Sequence, residues 1–551
     1  MNISKISTYV LGGLLLASCS DIDNQVYEGG ALSGEQNQEV IEAMPSRTEA
    51  AFNGMFTFLA NPAQNYQTRF SSRRADDFGF IMMAISQDFE GSDMAGENSG
   101  YNWFSTASEY SSRNANYANP YIRYVTPYTL IGMANDNIKS IPADTDNESL
   151  KNMAAQCKVM RAFAYLSLAP YFQGCYADCK DMPCVPVISD DKDLANNPRA
   201  TVAEVYETIL SDLTDDIIAA LGVERASKAY VNANVAYGLR ARAYLNMGEY
   251  AKAAEDAEKA MAGYTPASIK EVSVPAFCDM EEHNWIWAID ITDDQANYFG
   301  YATAPSWLSA FSGDSYGAAV QTTAKINKLL WNKISATDVR KGWWLDEELH
   351  TPNWENITWA DPKTGASAKG DELASFIIKD VKDPFLPYTN VKFGMKSGVG
   401  STLNNNDWPL MRVEEMILIQ AEGYAMSGNE SKAKQVLESF VKTYRDPEYS
   451  IPSTRSLQNE IWFQRRVELW GEGFAVSDAR RLKKPIVRFH GTPASTNFSD
   501  AFAFNIAYDD PYMNMRFPQS EKDNNPAIID NEGGSQPIPG QNPNLVDGVT
   551  D

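Results

Sequence analysis

The sequence predicts a mostly α-helical fold, assembled from pairs of helices, with long loop-rich insertions and minor β structure. Two long stretches place apolar residues at helical spacing and are each interrupted by a glycine. Between them, residues 269–407 are rich in Gly, Pro, Asn and aromatic residues and show little helical periodicity. Within that region only the short run Trp285–Ile289 has the character of a strand.

The first helix pair is predicted over Val231–Met261, with Gly248 at the turn. In its second helix, apolar side chains form one stripe and charged side chains occupy the opposite face. Small residues at Ala241, Ala253 and Ala260 allow two helices to approach closely, as they do in tetratricopeptide repeats. The predicted scaffold is therefore tetratricopeptide-like.

A second pair is predicted over Val413–Tyr444. Gly428 ends its first helix and Asn429 caps the next one. Two further helices are predicted over Asn152–Ala169, ending near Pro170, and over Val202–Leu221. The pairs are scattered along the chain rather than arranged in tandem.

The N-terminal residues predict an export signal. An apolar stretch up to Ala17 follows Lys5 and is too short to span a bilayer. The sequence Leu16-Ala17-Ser18-Cys19 resembles a bacterial lipobox, which predicts a signal peptide over residues 1–18, lipidation of Cys19 and a tether over 19–45. The acidic residues just after Cys19 resemble the surface-export signal of Bacteroidetes lipoproteins. We expect a lipid anchor in the outer membrane, facing the cell exterior, with an ordinary secretory signal as the alternative.

Composition and motifs exclude several classes of function. A net charge of −25 argues against nucleic acid as a partner, because phosphate binding requires a basic face. The three histidines, His283, His350 and His490, are widely spaced and form no metal-ligand motif. We therefore predict a protein that is not an enzyme and has neither a cofactor nor a metal site. A carboxylate pair of the glycoside hydrolase type is the remote alternative.

Beyond Cys19 the chain has five cysteines, Cys157, Cys175, Cys179, Cys184 and Cys278. Three of them cluster in sequence: Cys175, Cys179 and Cys184. In an exported protein such a cluster favours a disulfide, with free thiols or a metal site as alternatives. The connectivity does not follow from the sequence.

Several ordered sequence blocks mark the chain more specifically. They are MRAFAYLSLAPYF (Met160–Phe172), WPLMRVEEMILIQAEGYAMSG (Trp408–Gly428), FQRRVELWGEGFAVSDARRLKK (Phe463–Lys484), RFPQSEKDNNPAI (Arg516–Ile528) and QNPNL (Gln541–Leu545). Together they resemble the SusD/RagB family of outer-membrane nutrient-binding lipoproteins, in which Trp408–Gly428 would form a helix. The resemblance implies a helical N-terminal part over 46–268, a ligand-binding insertion over 269–407 and a C-terminal part over 408–551 packed on the scaffold.

The block from Phe463 to Lys484 is dense in charges. Because buried charges need partners, we predict a salt-bridge network that fixes the C-terminal segment on the helix pairs. Its predicted members are Arg465, Arg466, Glu468, Glu472, Asp478, Arg480 and Arg481. A phosphate-binding cluster is the alternative.

The resemblance also implies that ligand binds on loops inserted into the scaffold. Aromatic platforms flanked by polar side chains suit the apolar faces and hydroxyl edges of sugars. Two loops carry such residues: Tyr101, Asn102 and Trp103 in the first, and Asn297, Tyr298, Phe299, Tyr301, Trp307 and Tyr316 in the second. Second-tier candidates are Trp343, Trp344, Trp354 and Trp359, whereas Trp285 and Trp287 are expected in the core.

Taken together, the resemblance implies a surface receptor. It would capture oligosaccharides and deliver them to a SusC-like TonB-dependent outer-membrane transporter. Oligopeptides are the alternative cargo, since the resemblance includes relatives that work with oligopeptide importers. A peptide site would add backbone hydrogen bonding along an extended groove.

Overall fold

The structure is a computed structural model that describes residues 34–61, 79–98, 103–189, 192–299, 306, 308–312, 324–361, 364–376 and 385–551. Cys19 and the signal peptide lie outside this part. None of the helices in the described ranges combines the length and apolarity needed to cross a bilayer.

Helices dominate the described residues, as predicted. The α-helices are α1 (Gly34–Ala43), α2 (Ser46–Leu59), α3 (Gly79–Glu90), α4 (Trp103–Glu109), α5 (Ala118–Ser140), α6 (Glu148–Phe172), α7 (Tyr176–Cys179), α8 (Val202–Ser211), α9 (Asp215–Leu221), α10 (Ala233–Met247), α11 (Tyr250–Ala260), α12 (Ile269–Val272), α13 (Asp293–Phe299), α14 (Lys328–Trp331), α15 (Val413–Met426), α16 (Glu430–Tyr444), α17 (Leu457–Glu468), α18 (Ala475–Arg481) and α19 (Gln519–Asn524). Short 3-10 helices cover Leu194–Asn196, Val339–Trp343, Pro352–Trp354, Gly370–Ser375, Pro493–Ser495, Asp500–Phe502 and Pro511–Met513.

Both predicted helix pairs are confirmed. Gly248 separates α10 from α11 in the left-handed conformation, with a φ of 80°. Asn429 caps α16 by accepting a hydrogen bond from the Lys432 N–H. Although the two pairs are far apart in sequence, α11 packs directly against α15. A Cβ at Gly423 would lie 2.6 Å from the Tyr250 carbonyl oxygen, so this close approach requires glycine.

The stack of helices extends into the N-terminal half. Helix α5 packs on α2 and α6, and α6 packs on α8 and α9, which lead to α10. The scattered pairs of the sequence therefore form one continuous helical scaffold with a large shared core.

Three of the predicted helix boundaries are wrong. Helix α6 continues to Phe172, because Pro170 lies in its last turn, where the missing N–H removes a single hydrogen bond. The stretch 202–221 forms two helices rather than one. It breaks at Asp212, whose carboxylate accepts two 2.7 Å hydrogen bonds from Arg161. The start of the block Trp408–Gly428 is a strand, and its helix begins at Val413.

The β structure is minor and consists of three antiparallel two-stranded sheets. Its strands are β1 (Met94–Ala95), β2 (Trp285–Ile289), β3 (Lys325–Ile326), β4 (Thr358–Ala360), β5 (Ser367–Lys369) and β6 (Trp408–Arg412), paired as β1–β3, β2–β6 and β4–β5. All five residues of the predicted strand β2 are buried. This explains why the run is continuously apolar rather than alternating.

Tryptophan side chains fill the cores. Trp285 and Trp287 are fully buried, as expected. The second-tier ligand candidates are buried as well, which corrects their proposed role. Trp343 and Trp344 belong to the main core, whereas Trp354 and Trp359 fill a separate small core inside the insertion. Side chains without exposed area cannot serve as sugar platforms in this structure.

The expected disulfide is not formed. Among the described residues, Cys157, Cys175, Cys179, Cys184 and Cys278 all carry free thiols. Cys184 is buried with its Sγ 3.8 Å from the Ala169 carbonyl oxygen, and the Cys175 thiol lies 3.4 Å from an Asp178 carboxylate oxygen. Each thiol thus has a different neighbour.

A buried ion network joins the C-terminal half of the chain to the insertion. Four cations meet four carboxylates in it: Arg340, Lys392, Arg412 and Arg445 with Asp338, Glu414, Glu468 and Glu472. Equal numbers of opposite charges let the interior hold them without a net charge.

Glu468, at the end of α17, is the centre of this network and is fully buried. Its carboxylate accepts two 2.8 Å hydrogen bonds from Arg445 and one of 3.3 Å from each of Arg340 and Arg412. Burial alone would raise its pKa, but these three guanidinium groups hold the pKa of Glu468 well below its usual range. The carboxylate is therefore ionised and binds three chain segments at once.

Glu472 extends the network to the insertion. It accepts two 2.8 Å hydrogen bonds from Arg412 and one of 2.7 Å from Lys392. Lys392 also donates to the carbonyl oxygens of Glu468 and Trp470 at 2.9 and 2.8 Å. One ammonium group thereby fixes the whole turn that follows α17.

Arg466 links the N-terminal half of the chain to the C-terminal segment. Its guanidinium contacts the carboxylate of Asp93 at 2.7 Å and that of Asp547 at 2.6 Å. The predicted role of fixing the C-terminal segment on the scaffold therefore has a direct counterpart in these contacts.

The other predicted network residues form a separate group. Asp478 accepts from Arg465 at 2.9 Å and from Arg481 at 2.8 Å, and Arg481 also pairs with Glu422 on α15. Arg480 takes part in no ion pair within the described part of the chain. The sequence predicts one network, whereas the structure has three groups whose partners come mostly from outside the block.

Replacing Glu468 with Gln should lower the free energy of unfolding by about 3–5 kcal/mol, because three buried guanidinium groups would lose their shared counter-ion. Chemical denaturation monitored by circular dichroism measures this change. The control is Glu430→Gln, which removes an exposed pair with Lys434 at 3.4 Å and should change stability by no more than about 0.5 kcal/mol. Equal effects of the two substitutions would contradict the assigned role.

Asp88 on α3 is a second buried carboxylate with a different environment. It accepts hydrogen bonds from the Gly473 and Ala475 N–H groups at 2.8 and 3.1 Å. Burial raises the pKa of Asp88 to about 7, although these two hydrogen bonds lower it. The folded chain therefore keeps this proton up to near neutral pH, whereas the unfolded chain releases it near pH 4.

Stability should consequently fall as the pH rises from about 4 to about 7, by about 1.4 kcal/mol per pH unit from this one group. The substitution Asp88→Asn should flatten that slope, and the exposed substitution Asp216→Asn should leave it unchanged. Denaturation curves at pH 5, 6 and 7 test this expectation. A slope that is unchanged in Asp88→Asn would refute it.

Candidate functional site

The predicted ligand residues lie mostly outside the described part of the chain. Tyr101, Asn102, Tyr301, Trp307 and Tyr316 belong to the residues that the structure does not describe. Trp103 begins α4, and Asn297, Tyr298 and Phe299 end α13, but only their backbone positions are described. The described residues on both sides of these segments show how the two loops are held.

The first loop starts, and the second loop ends, at one small ladder formed by β1 and β3. Met94 pairs with Ile326 and Ala95 pairs with Lys325 in antiparallel register. Because the strands are antiparallel, the chain that leaves β1 and the chain that enters β3 lie at the same end of the ladder. The first predicted loop follows β1 and the second precedes β3. The start of the first loop therefore lies beside the end of the second.

The first loop is closed at its base by polar contacts. The Ser105 hydroxyl donates to the Glu97 carbonyl oxygen at 3.2 Å, across residues 99–102. The Glu97 carboxylate also pairs with the ammonium group of Lys325, which is nearly buried on β3. This ion pair links the base of the first loop to the end of the second.

Asn390 holds the second loop at two points. Its side-chain amide donates to the Leu308 carbonyl oxygen at 2.9 Å and to the Ala324 carbonyl oxygen at 3.0 Å. The residue is fully buried. Residues 308 and 324 are thereby fixed beside each other, although the chain between them is fifteen residues long.

A buried polar run, Asn404–Asp407, anchors the rest of the insertion. Asn404 accepts from the Ser312 hydroxyl at 3.0 Å, and Asn405 donates to the Asp293 carboxylate at 2.7 Å. Asn406 donates to the Gly394 carbonyl oxygen at 2.9 Å. We call β1, β3, Asn390 and the run Asn404–Asp407 the loop base.

Asp407 carries the main charge of this run. Its carboxylate accepts from the Ile291 and Met280 N–H groups, both at 2.9 Å, and from Lys396 Nζ at 2.7 Å. Burial raises the pKa of Asp407 above its ordinary value, and the hydrogen bonds partly oppose that rise. Its partners thus orient the segment just before α13.

The start of α13 follows from local sequence. The Thr292 hydroxyl accepts from the Gln295 N–H at 3.2 Å, while the Gln295 side chain accepts from the Thr292 N–H at 2.9 Å. This reciprocal pair satisfies two N–H groups at the helix start. Asn297, Tyr298 and Phe299 then follow as the last residues of the same helix.

The described site has the features of a support for a binding surface. Apart from the Asn390 side-chain oxygen, its polar side chains hydrogen-bond with one another and with the backbone. Nowhere in the described ranges do three His, Cys, Asp or Glu side chains come together as a metal site would require. The arrangement can therefore position aromatic and polar loop residues, which is what stacking on a sugar requires.

Sequence reasoning missed the loop base. Asn390 and the run Asn404–Asp407 resemble ordinary turn residues in sequence. The one available signal was three asparagines and an aspartate directly before an apolar block. Buried amides at that density need partners, and those partners are the loop ends.

These features define a class of protein: a helix-pair scaffold that carries inserted loops on a rigid, hydrogen-bonded base. Two family models match this chain. Residues 80–245 match the family described as "Starch-binding associating with outer membrane", and residues 363–550 match the one described as "SusD family". The chain belongs to the SusD/RagB family, and the resemblance of its sequence blocks is thereby confirmed.

Solved structures share the fold. A SusD-like carbohydrate binding protein from Bacteroides vulgatus is 21% identical, with 88% of this chain and 97% of that chain covered and a TM-score of 0.67. A SusD superfamily protein from Bacteroides thetaiotaomicron is 22% identical, with coverages of 88% and 99% and a TM-score of 0.66. A laminarin binding SusD-like protein is 16% identical, with coverages of 89% and 99% and a TM-score of 0.57.

No curated relative matches the chain. At the identities of the solved structures, the likeness shows the fold alone.

The substitution Asn390→Ala should release the second loop from its base. Its control is Asn234→Ala, because Asn234 is also buried and its amide donates to two carbonyl oxygens, of Ala260 and Ala262, at 3.1 and 3.0 Å. Each substitution should cost about 1–3 kcal/mol of stability. Hydrogen–deuterium exchange should rise at residues 308–312 and 324–327 only in Asn390→Ala. A rise of the same size there in Asn234→Ala would contradict the role of Asn390 in holding the second loop.

Proposed function

We propose that this protein is a non-catalytic, cell-surface lipoprotein that captures oligosaccharides and delivers them to a SusC-like TonB-dependent transporter in the outer membrane. The observation that carries the proposal is that the two aromatic loops are anchored at the same place in the fold. Their ends are held together by the β1–β3 ladder, the pair of Lys325 and Glu97, and Asn390. Two loops with a fixed base can present their aromatic residues to one ligand.

The residue types of the loops suit sugars. Tyr101, Trp103, Tyr298, Phe299 and Trp307 offer flat faces for sugar C–H groups, and Asn102 and Asn297 offer amides for hydroxyl groups. Each stacked ring is worth about 0.5–1.5 kcal/mol beyond its buried area, by analogy with aromatic pairs. A few such contacts give dissociation constants of the order of mM to µM. Weak binding suits a protein that must release its cargo to a transporter.

The family supports the same reading. One matched family model is described as starch-binding and associated with the outer membrane, and one structural neighbour is described as laminarin binding. The sugar class for this chain is a proposal that rests on those descriptions together with its own loops. Lipidation of Cys19 would keep the protein at the membrane. Of the tether predicted over 19–45, the part before α1 would allow movement over the transporter, because α1 packs on the scaffold through Ile41.

Oligopeptides remain the second candidate cargo. The acidic balance of the chain, with a net charge of −25, would favour basic peptides over acidic ones. A glycoside hydrolase is the remote alternative. Its distinguishing product would be new reducing ends, which a simple colorimetric assay detects.

The double substitution Trp103→Ala and Tyr298→Ala should abolish oligosaccharide binding without unfolding the protein. The mature chain is first tested by calorimetry against laminarin-derived and starch-derived oligosaccharides and against a set of basic oligopeptides. The control is Tyr117→Ala, which removes a tyrosine that is 45% exposed and lies outside both loops. It should retain wild-type affinity.

The possible outcomes separate the candidates. Binding of an oligosaccharide that is lost only in the double variant supports the proposal. Unchanged affinity in that variant would mean that Trp103 and Tyr298 do not bind the ligand, and would contradict the proposed site. Exclusive binding of peptides favours the second cargo, and a release of reducing ends favours an enzyme.

A further inference from the structure

A small cavity beside α18 contains a buried arginine that has no carboxylate partner in the described part of the chain. Arg480 is only 4% exposed and lines a cavity of about 40 Å³ between the end of α6, α7 and α18. The other wall residues include Gln173, Cys175, Tyr176 and Ser477. The cavity is separate from the loop base and does not depend on the proposed cargo.

Arg480 uses few of its hydrogen-bond donors. It donates to the Pro170 carbonyl oxygen at 2.8 Å and to the Asn514 side-chain oxygen at 2.7 Å. Its Nε–H is buried and has no acceptor among the described residues. A guanidinium group has five N–H donors, and leaving one buried without an acceptor costs free energy.

Arg488 shows how the same chain satisfies a buried arginine without a carboxylate. It is fully buried, and its three nitrogen atoms donate to the carbonyl oxygens of five residues at 2.6–3.1 Å: Phe89, Glu90, Gly91, Ser108 and Phe502. Arg480 has no such set of carbonyl oxygens. The difference indicates that an acceptor from solution belongs beside Arg480.

The charge around Arg480 is also uncompensated. The carboxylates of this region are already paired: Asp478 with Arg465 and Arg481, Glu422 with Arg481, and Asp178, beside Cys175, with Lys483. Burial lowers the pKa of Arg480, and the charge of Arg113, which is itself paired with Glu90 at 3.3 Å, lowers it further. Among the described residues, no carboxylate forms an ion pair with Arg480.

The nearby thiols do not supply the missing negative charge. Burial raises the pKa of Cys175 and of Cys179, so both remain protonated at neutral pH. The C-terminal end of α6 contributes the equivalent of roughly half a negative charge through carbonyl groups such as that of Pro170. This partial charge reduces the imbalance without removing it.

We propose that this cavity binds one small oxyanion, held by the Arg480 guanidinium and supported by Arg481. The ligand class is phosphate, sulfate or a small carboxylate, because these anions accept hydrogen bonds in the geometry that a guanidinium group offers. A sugar ring is too large for the cavity. The bound anion would link the end of α6, α18 and the segment around Asn514, and so stabilise the folded chain.

The test is equilibrium dialysis of the full mature chain with radiolabelled phosphate, with sulfate and acetate as competitors. We expect saturable binding of one phosphate per chain. Competition by sulfate but not by acetate would assign a tetrahedral oxyanion, and stronger competition by acetate would assign a carboxylate. Absence of saturable binding of any of the three up to about 10 mM would overturn the proposal.

Variants locate the site. Arg480→Gln should reduce phosphate affinity at least tenfold and abolish the rise in melting temperature that phosphate produces. The control is Arg199→Gln. Among the described residues Arg199 also forms no ion pair, but all three of its nitrogen atoms already donate to backbone carbonyl oxygens. It should keep wild-type affinity. Phosphate binding that is unchanged in Arg480→Gln would place the site elsewhere and overturn the proposal. If that variant does not fold, the dialysis of the wild-type chain decides alone.

Discussion

The ion network around Glu468 is the constraint on which the rest of the structure depends. One fully buried carboxylate meets guanidinium groups from the insertion, from β6 and from the end of α16. Each segment brings a charge that would be costly to bury alone, so each is stable only when the others are in place. The network therefore specifies one arrangement of the C-terminal half, and it does so through charges spread over 135 residues, from Asp338 to Glu472.

The loop base extends that arrangement to the surface. Lys392, two residues after Asn390, is bound to the turn that follows α17, and Asn390 holds both ends of the second loop. A scaffold of this kind separates two tasks. Buried charges and amides fix where the loops begin and end, while the residues between those points are left to contact a ligand. Different loop sequences could thus use the same base, which fits a family whose members have diverged in sequence while keeping one fold.

Helical periodicity predicted the scaffold, because α11 and α16 bury one face each, while α10 and α15 are buried on most sides and end near Gly248 and Gly428. It did not predict that α11 packs on α15, since such contacts depend on a glycine far along the chain. The charge density of Phe463–Lys484 predicted burial, but the partners Arg340, Arg412 and Arg445 carry no local signal. Likewise, Trp343 and Trp354 have the composition of binding residues, and only the packing around them shows that they are core.

If the two loops on the shared base form the ligand surface, a bound sugar should protect them from solvent. Hydrogen–deuterium exchange of the mature chain, with and without the tightest-binding laminarin or starch oligosaccharide, tests this. We expect ligand-dependent protection at residues 97–105, 293–312 and 324–327, with none on α10, α11, α15 or α16. Protection confined to those four helices, or equal exchange with and without the sugar at saturation, would contradict it.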